Sequence, residues 1–218
     1  KFIISNFIIM NKKKIIVFDL DGVLIDSKKN MISTLIKTNK SLGLNIKFKD
    51  YEKYIGLPFK KILLKIGVKD NFLKIEKNYK KFSYENISKL YLKKNIVNVL
   101  KRLKKEFDLG IYTSKDKKRT LKVIGKNKYL FKYVITPENV KYGKPNPEGL
   151  KKIKFLGKYD YKNMIYIGDT IYDYMVAKKL KIKYFHFKSN FSSNKIYFKR
   201  IKIISNFQQL KKIILDNN

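Results

Sequence analysis

The chain has 218 residues and a formal net charge of +35, from 52 basic and 17 acidic side chains, and 44% of it is hydrophobic. That apolar content excludes global disorder, and the length suits one medium domain, or one with a small insert. The absence of cysteine excludes disulfides, thiolate metal sites and a cysteine nucleophile, and no apolar run reaches the ~20 residues of a membrane span.

A charge this high normally points to nucleic acid or an anionic membrane. Here the lysines are spread along the whole chain beside an excess of Ile, Asn, Tyr and Phe, all residues with AT-rich codons. Codon bias therefore accounts for the composition, and neither a nucleic-acid nor a membrane partner is expected. The field would still draw phosphorylated anions toward a site, in a salt-dependent way.

In chain order, Lys1 to Met10 is apolar but short, and the cluster Lys12-Lys13-Lys14 follows it. A secretory signal has the opposite polarity. Ile15-Ile16-Val17-Phe18 reads as a strand buried on both faces of a parallel sheet. Asp19 and Asp21 end it on one face, with Leu20 turned into the core and Gly22 allowing a tight exit turn. Two acids at the carboxyl end of a central strand lie where open α/β sheets bind ligands. Their repulsion calls for a cation or a proton between them, and Mg²⁺ would suit the oxygen ligands.

From Ser27 to about Lys93 the pattern is helical. Met31, Ile32, Leu35, Ile36 and Leu42 form one apolar stripe stopped by Gly43, and Phe72, Ile75, Tyr79, Phe82, Ile87 and Leu90 form a longer one. Between them, Tyr54-Ile55-Gly56-Leu57-Pro58 is a punctuated loop with Pro58 opening a helix. After Asn95, helices and strands alternate, implying βαβ units and a parallel sheet. A helix carrying Ile96, Val97, Leu100 and Leu103 precedes the strand Phe107 to Tyr112, which ends in Thr113-Ser114. A helix near Lys117–Lys126 and the strand Tyr133–Ile135 follow. In Gly143-Lys144-Pro145-Asn146-Pro147-Glu148, Asn146 is the expected N-cap and Pro147 the first helical residue. Met164–Ile167 then runs into Gly168-Asp169-Thr170-Ile171-Tyr172-Asp173. A strand at Lys183–Phe187, then Ile201–Ile204 and a helix, close the chain.

Asp19-Leu20-Asp21-Gly22-Val23 resembles the first motif of the haloacid dehalogenase-like hydrolases, mostly Mg²⁺-dependent phosphatases working through an aspartyl-phosphate. Gly143-Lys144-Pro145 and Gly168-Asp169…Asp173 stand in that family's order, so the resemblance covers the chain from Met10 onward. It implies an α/β fold, a Rossmann-like parallel sheet core over residues 10–26 and 94–218. A small all-helical cap over residues 27–93 is inserted after the first strand, as in the phosphoglycolate phosphatase-like branch. Residues 1–9 then read as an upstream extension, or as a short extra strand.

The same resemblance assigns roles. Asp19 would be the nucleophile, and Asp21 the general acid and then base. Thr113 and Ser114 would bind phosphoryl oxygens, and Lys144 would neutralise charge. Asp19, Asp169 and the backbone carbonyl of Asp21 would hold Mg²⁺, with Asp173 orienting a water or Lys144 behind them. The loop at Gly56, with Lys60 beyond it, either dips toward the substrate or is an ordinary interhelical turn. Dehalogenases of this superfamily lack the second acid, and phosphohexomutases of the branch carry a histidine where this chain has Met31. His186, in a late strand, reads as structural. The expectation is a cytoplasmic phosphatase acting on a small phosphorylated metabolite such as phosphoglycolate or a sugar phosphate. A nucleotidase or phosphomutase, or a basic binding protein on an inert phosphatase fold, are the alternatives.

Overall fold

The structure, a computed structural model, describes residues 14–191 and 201–215. The expectations for residues 1–9 lie outside the described residues. Within them, β1 (Ile15–Phe18), β2 (Asp108–Tyr112), β3 (Tyr133–Ile135), β4 (Met164–Gly168), β5 (Lys183–Phe187) and β6 (Lys202–Ile204) form one sheet. The order is β3-β2-β1-β4-β5-β6, and every pairing is parallel. All four side chains of β1 are fully buried, each worth roughly 1.5–3 kcal/mol by leaving water. That fixes β1 at the centre. The alternation of a strand then divides the core: Ile16 and Phe18 face one apolar cluster, Ile15 and Val17 the other.

Between β1 and β2 lie α1 (Lys28–Leu42), α2 (Phe48–Glu52), α3 (Phe59–Lys65) and α4 (Phe72–Glu85), the all-helical cap. Its own apolar cluster includes Leu35, Tyr51, Ile55, Leu57, Ile62 and Tyr79. The core helices are α5 (Lys94–Leu103), α6 (Lys117–Ile124), α7 (Glu148–Gly157), α8 (Ile171–Leu180) and α9 (Phe207–Leu215). Residues of α5, α6 and α9 cover one face of the sheet, and those of α7 and α8 the other.

Three local expectations differ from the structure. On α1 the buried residues are Asn30, Thr34, Leu35 and Thr38, while Ile36 is 62% exposed. The inward face of this helix is therefore partly polar, and the apolar stripe misjudged its direction. The longer stripe breaks at Asn86: Ile87 lies in a 3-10 turn, and Ile87, Leu90 and Leu92 join the cluster beneath the sheet. Helix α7 begins at Glu148 with Pro147 ahead of it, one residue later than expected. The Asn146 side chain still accepts the Glu148 backbone N–H at 3.0 Å, so its capping chemistry is retained.

Candidate active site

Phe18 of β1 lies level with Ile111 of β2 and Ile167 of β4. The residues just past those strands therefore converge. Asp19 is pinned by its backbone N–H to the Ile167 carbonyl at 2.8 Å, and Thr113 likewise to Ile135 at 3.0 Å. Asp19, Thr113, Asp169 and Asp173 are all buried at this edge. Gly22 has φ +84°, and any Cβ there would overlap the Asp169 carboxylate. Only glycine lets the chain turn there while Asp169 packs against it.

Lys144 reaches the same point from the loop before α7. Its ammonium is 2.9 Å from Asp19 Oδ1 and 2.7 Å from Asp173 Oδ1, and only 1% of the side chain is exposed. The Glu148 carboxylate accepts the backbone N–H groups of Lys141 and Tyr142 at 2.8 and 2.7 Å. That curls the loop and aims Lys144. Asp173 is held by the Tyr166 hydroxyl at 2.6 Å and by a capping box with Thr170, whose hydroxyl donates at 2.7 Å.

The electrostatics follow from burial. Burial pushes Asp19 up to about 7, against the pull of Lys144 and with Asp173 adding to the rise. Asp169 is raised well above the carboxylate range by burial, then by Asp19 and Asp173. Burial also works against Asp173, but Lys144 and three side-chain hydrogen bonds outweigh it and hold this carboxyl low. For Lys144, burial favours the neutral amine, yet Asp173 and Asp19 keep it above the ordinary lysine value.

Carboxylate oxygens of Asp19, Asp169 and Asp173 lie within 4.8 Å of one another, a set that could hold a metal ion. Three carboxylates against the one ammonium of Lys144 leave a formal excess of two negative charges (3 − 1), which a hard dication fits. The Asp21 carboxylate is outside this group. It stands 3.1 Å from Lys115 Nζ instead. The expected ligand set used only the Asp21 carbonyl, and its side chain is free to face the substrate space.

That space is a cavity of about 60 Å³ between the strand ends and the cap. Asp19, Asp21, Thr113 and Ser114 line the core side, and Gly56 and Leu57 the cap side. Ser114, expected to bind phosphoryl oxygen, donates its hydroxyl to the Gly56 carbonyl at 2.7 Å. Thr113 accepts the Lys115 N–H on its oxygen at 3.1 Å, leaving its own proton to donate. The loop at Gly56 therefore does reach the core. Lys60 does not line this cavity: it is exposed, with its ammonium over the Phe72 ring at 5.3 Å. Helix α3 turns it outward.

Two cations that sequence reasoning missed take its place. Lys115 and Arg119 both line the cavity and are 5% and 8% exposed. Lys115 directly follows Thr113-Ser114, which was the available signal; among 52 basic residues it had no contrast. His186 is buried on β5, its Nδ1 3.2 Å from the Tyr184 hydroxyl, and does not line the cavity.

A central parallel sheet carries acids at the ends of β1 and β4, with a buried lysine paired to Asp19 and Asp173; this is an α/β protein with its polar site at the carboxyl ends of the strands. The sequence profile described as haloacid dehalogenase-like hydrolase matches residues 16–187, and the chain belongs to that family. It is 34% identical to the phosphoglycolate phosphatase of Aquifex aeolicus over 179 residues, covering 78% of this chain and 82% of that one. It is 29% identical over 176 residues to the pyrophosphatase PpaX of Bacillus velezensis, covering 77% and 80%. The fold superposes on CbbY of Rhodobacter sphaeroides, solved with xylulose-(1,5)bisphosphate, with a TM-score of 0.77 at 12% identity, over 89% of this chain and 95% of that one.

Proposed function

We propose that this protein is a magnesium-dependent phosphatase that hydrolyses a small phosphate monoester through an aspartyl-phosphate on Asp19. The observation that carries this is the set of buried carboxylates around Lys144, of which Asp19 also lines the cavity. The cavity is enclosed between the strand ends and the cap, which favours a small substrate over a macromolecule. The names borne by the Aquifex and Bacillus relatives agree with that chemistry.

Asp19 attacks phosphorus while the bond to the ester oxygen breaks, and Asp21 gives that oxygen its proton. Water then attacks the phosphorus, Asp21 takes a proton from it, and the bond to Asp19 breaks to release inorganic phosphate. The Thr113 hydroxyl donates to a phosphoryl oxygen. Lys144 holds Asp19 in place and offsets the charge gathering on phosphorus. Asp19, Asp169 and the Asp21 carbonyl would hold Mg²⁺, which would let an anionic nucleophile meet an anionic substrate, while Asp173 orients Lys144 from behind. The division of labour is an α/β core (10–26 and 94–218) and a cap (27–93) that moves on two connections, near Ser27 and Lys93.

The test is phosphate release from p-nitrophenyl phosphate and a panel of phosphorylated metabolites, with and without Mg²⁺. Mg²⁺-dependent release that vanishes in Asp19→Asn supports the reading. Undiminished release in that variant overturns it.

A further inference from the structure

Apart from the catalytic acids and hydroxyls, the cavity wall is mainly apolar and aromatic. Met31, Ile55, Leu57 and Phe59 are among its lining. Lys115 and Arg119 are the cations in that lining, and both are nearly closed off from water. Buried cations in an apolar wall are costly unless an anion meets them. Two lie here, on the same side as the acid expected to protonate the leaving group.

The partners in place do not exhaust them. Arg119 engages Asp116 through Nε and the Ser83 hydroxyl through Nη1, the latter at 2.8 Å. A guanidinium has five N–H donors, so among the described residues these contacts leave three for a ligand. The Asp116 pairing and the Tyr79 ring, 5.7 Å from the guanidinium carbon, also hold its plane. A rigid fork beside a small cavity is suited to a planar carboxylate or a phosphate. Lys115 adds a compact point charge 3.1 Å from Asp21.

Resting on the phosphatase reading above, we infer that Arg119, assisted by Lys115, is a specificity-determining residue that binds a second anionic group of the substrate. The preferred substrates are then short phosphate esters or anhydrides with a carboxylate or second phosphate a few bonds from the reacting phosphorus. The 3.1 Å between Lys115 and Asp21, the acid that serves the leaving group, sets that short reach. Binding energy from the second anion, remote from the breaking bond, raises kcat/KM for such substrates over neutral ones.

The competing account is that Arg119 is only a strut from α6 to Ser83 on the cap helix α4. Comparing 2-phosphoglycolate with its neutral near-isostere 2-hydroxyethyl phosphate, and pyrophosphate as the phosphate arm, separates the two. In the wild type, kcat/KM favours the doubly anionic substrates. In Arg119→Gln that preference falls by about tenfold to hundredfold, the size expected for a charged hydrogen bond, while Arg119→Lys restores part of it. Which arm loses more tells carboxylate from phosphate. An equal loss on anionic and neutral substrates, or an unchanged preference, overturns the inference.

Binding is read separately by calorimetry in the Asp19→Asn background, with 2-phosphoglycolate, pyrophosphate and 2-hydroxyethyl phosphate as probes. A preference for an anionic probe that disappears on adding Arg119→Gln upholds the subsite even if no phosphate ester is turned over, an outcome that defeats only the phosphatase reading. No preference between the anionic and neutral probes overturns the subsite itself.

Discussion

The Ser114 hydroxyl donates to the Gly56 carbonyl at 2.7 Å, tying the end of β2 to the cap loop across 58 residues of sequence. Gly56 is held from its other side as well. Its φ is +104°, and a Cβ there would lie 2.7 Å from Thr170 Oγ1, the hydroxyl that caps α8. Cap and catalytic core thus meet at one glycine, between two hydroxyls.

Gly56→Ala should therefore cost more than a hydrogen bond. The left-handed backbone disfavours alanine, and the new methyl group displaces Thr170, whose hydroxyl positions Asp173. Ser114→Ala removes only the tie, about 1 kcal/mol, or about 2–4 °C in Tm for a domain of this size. Thermal melts and kcat/KM for both variants check this. If Gly56→Ala matches the wild type in both, the loop is not seated as described.

Asp19→Asn should abolish turnover and stabilise the metal-free protein at neutral pH. A carboxamide cannot attack phosphorus, and removing one of three crowded buried carboxylates relieves their repulsion. Lys144 keeps its partner Asp173. A rise of a few degrees in Tm, about 1 kcal/mol, is expected in the absence of metal. A lower Tm would mean that the ion pair with Lys144 outweighs the crowding.

The same carboxyl sets a pH dependence. Unfolded, Asp19 titrates at the ordinary aspartate value of 3.8; folded, burial holds it at about 7. Between these values the folded chain keeps a proton that the unfolded chain has lost, so stability falls as pH rises through that window. Asp169, also raised, adds to the slope. Denaturant melts of metal-free protein at pH 4, 5.5 and 7.5 should show the decline, and a shallower one in Asp19→Asn. Equal slopes in the two proteins would remove Asp19 as a cause.

The residues readable in the sequence were those whose backbone context is distinctive. Asp19 and Asp169 each follow an uninterrupted apolar strand, and Lys144 stands in a Gly-Lys-Pro-Asn-Pro run. The sheet was readable for the same reason, since β1 to β5 are short apolar runs between helical periods. What was not legible depends on facing. Ile36 and Lys60 have the right type and spacing, but helix direction turned both outward. Arg119 lies deep because Ser83 and the Tyr79 ring of α4 pack against it, a tertiary fact with no local signature. Ser114 lines the cavity, but its hydrogen-bond partner is 58 residues away in the chain.

Mg²⁺ should support turnover and Ca²⁺ should inhibit it. Calcium's larger, looser coordination favours taking both oxygens of Asp19, which removes the nucleophile. Binding of either ion should release protons near neutral pH, because Asp19 and Asp169 are raised and must ionise first. Calorimetry in buffers of different ionisation enthalpy measures that release directly. Activity that survives exhaustive chelation would rule out the metal.

The overall positive field and the local cations should separate cleanly in salt. Lys60 is exposed and stacked over Phe72 away from the cavity lining, so Lys60→Ala should change kcat/KM no more than the distant Lys211→Ala. Both effects act through the long-range field, and the Debye length falls from ~10 Å at 0.1 M salt to ~3 Å at 1 M, so both should fade together. Arg119 is 8% exposed and within contact of its partners, where counterions do not penetrate, so the Arg119→Gln effect should persist at high salt. Measuring the three variants at 0.05 and 0.5 M salt on one anionic substrate decides it. If the Lys60→Ala loss is larger than that of Lys211→Ala and survives high salt, Lys60 swings inward during turnover, and its outward position belongs only to the resting cap.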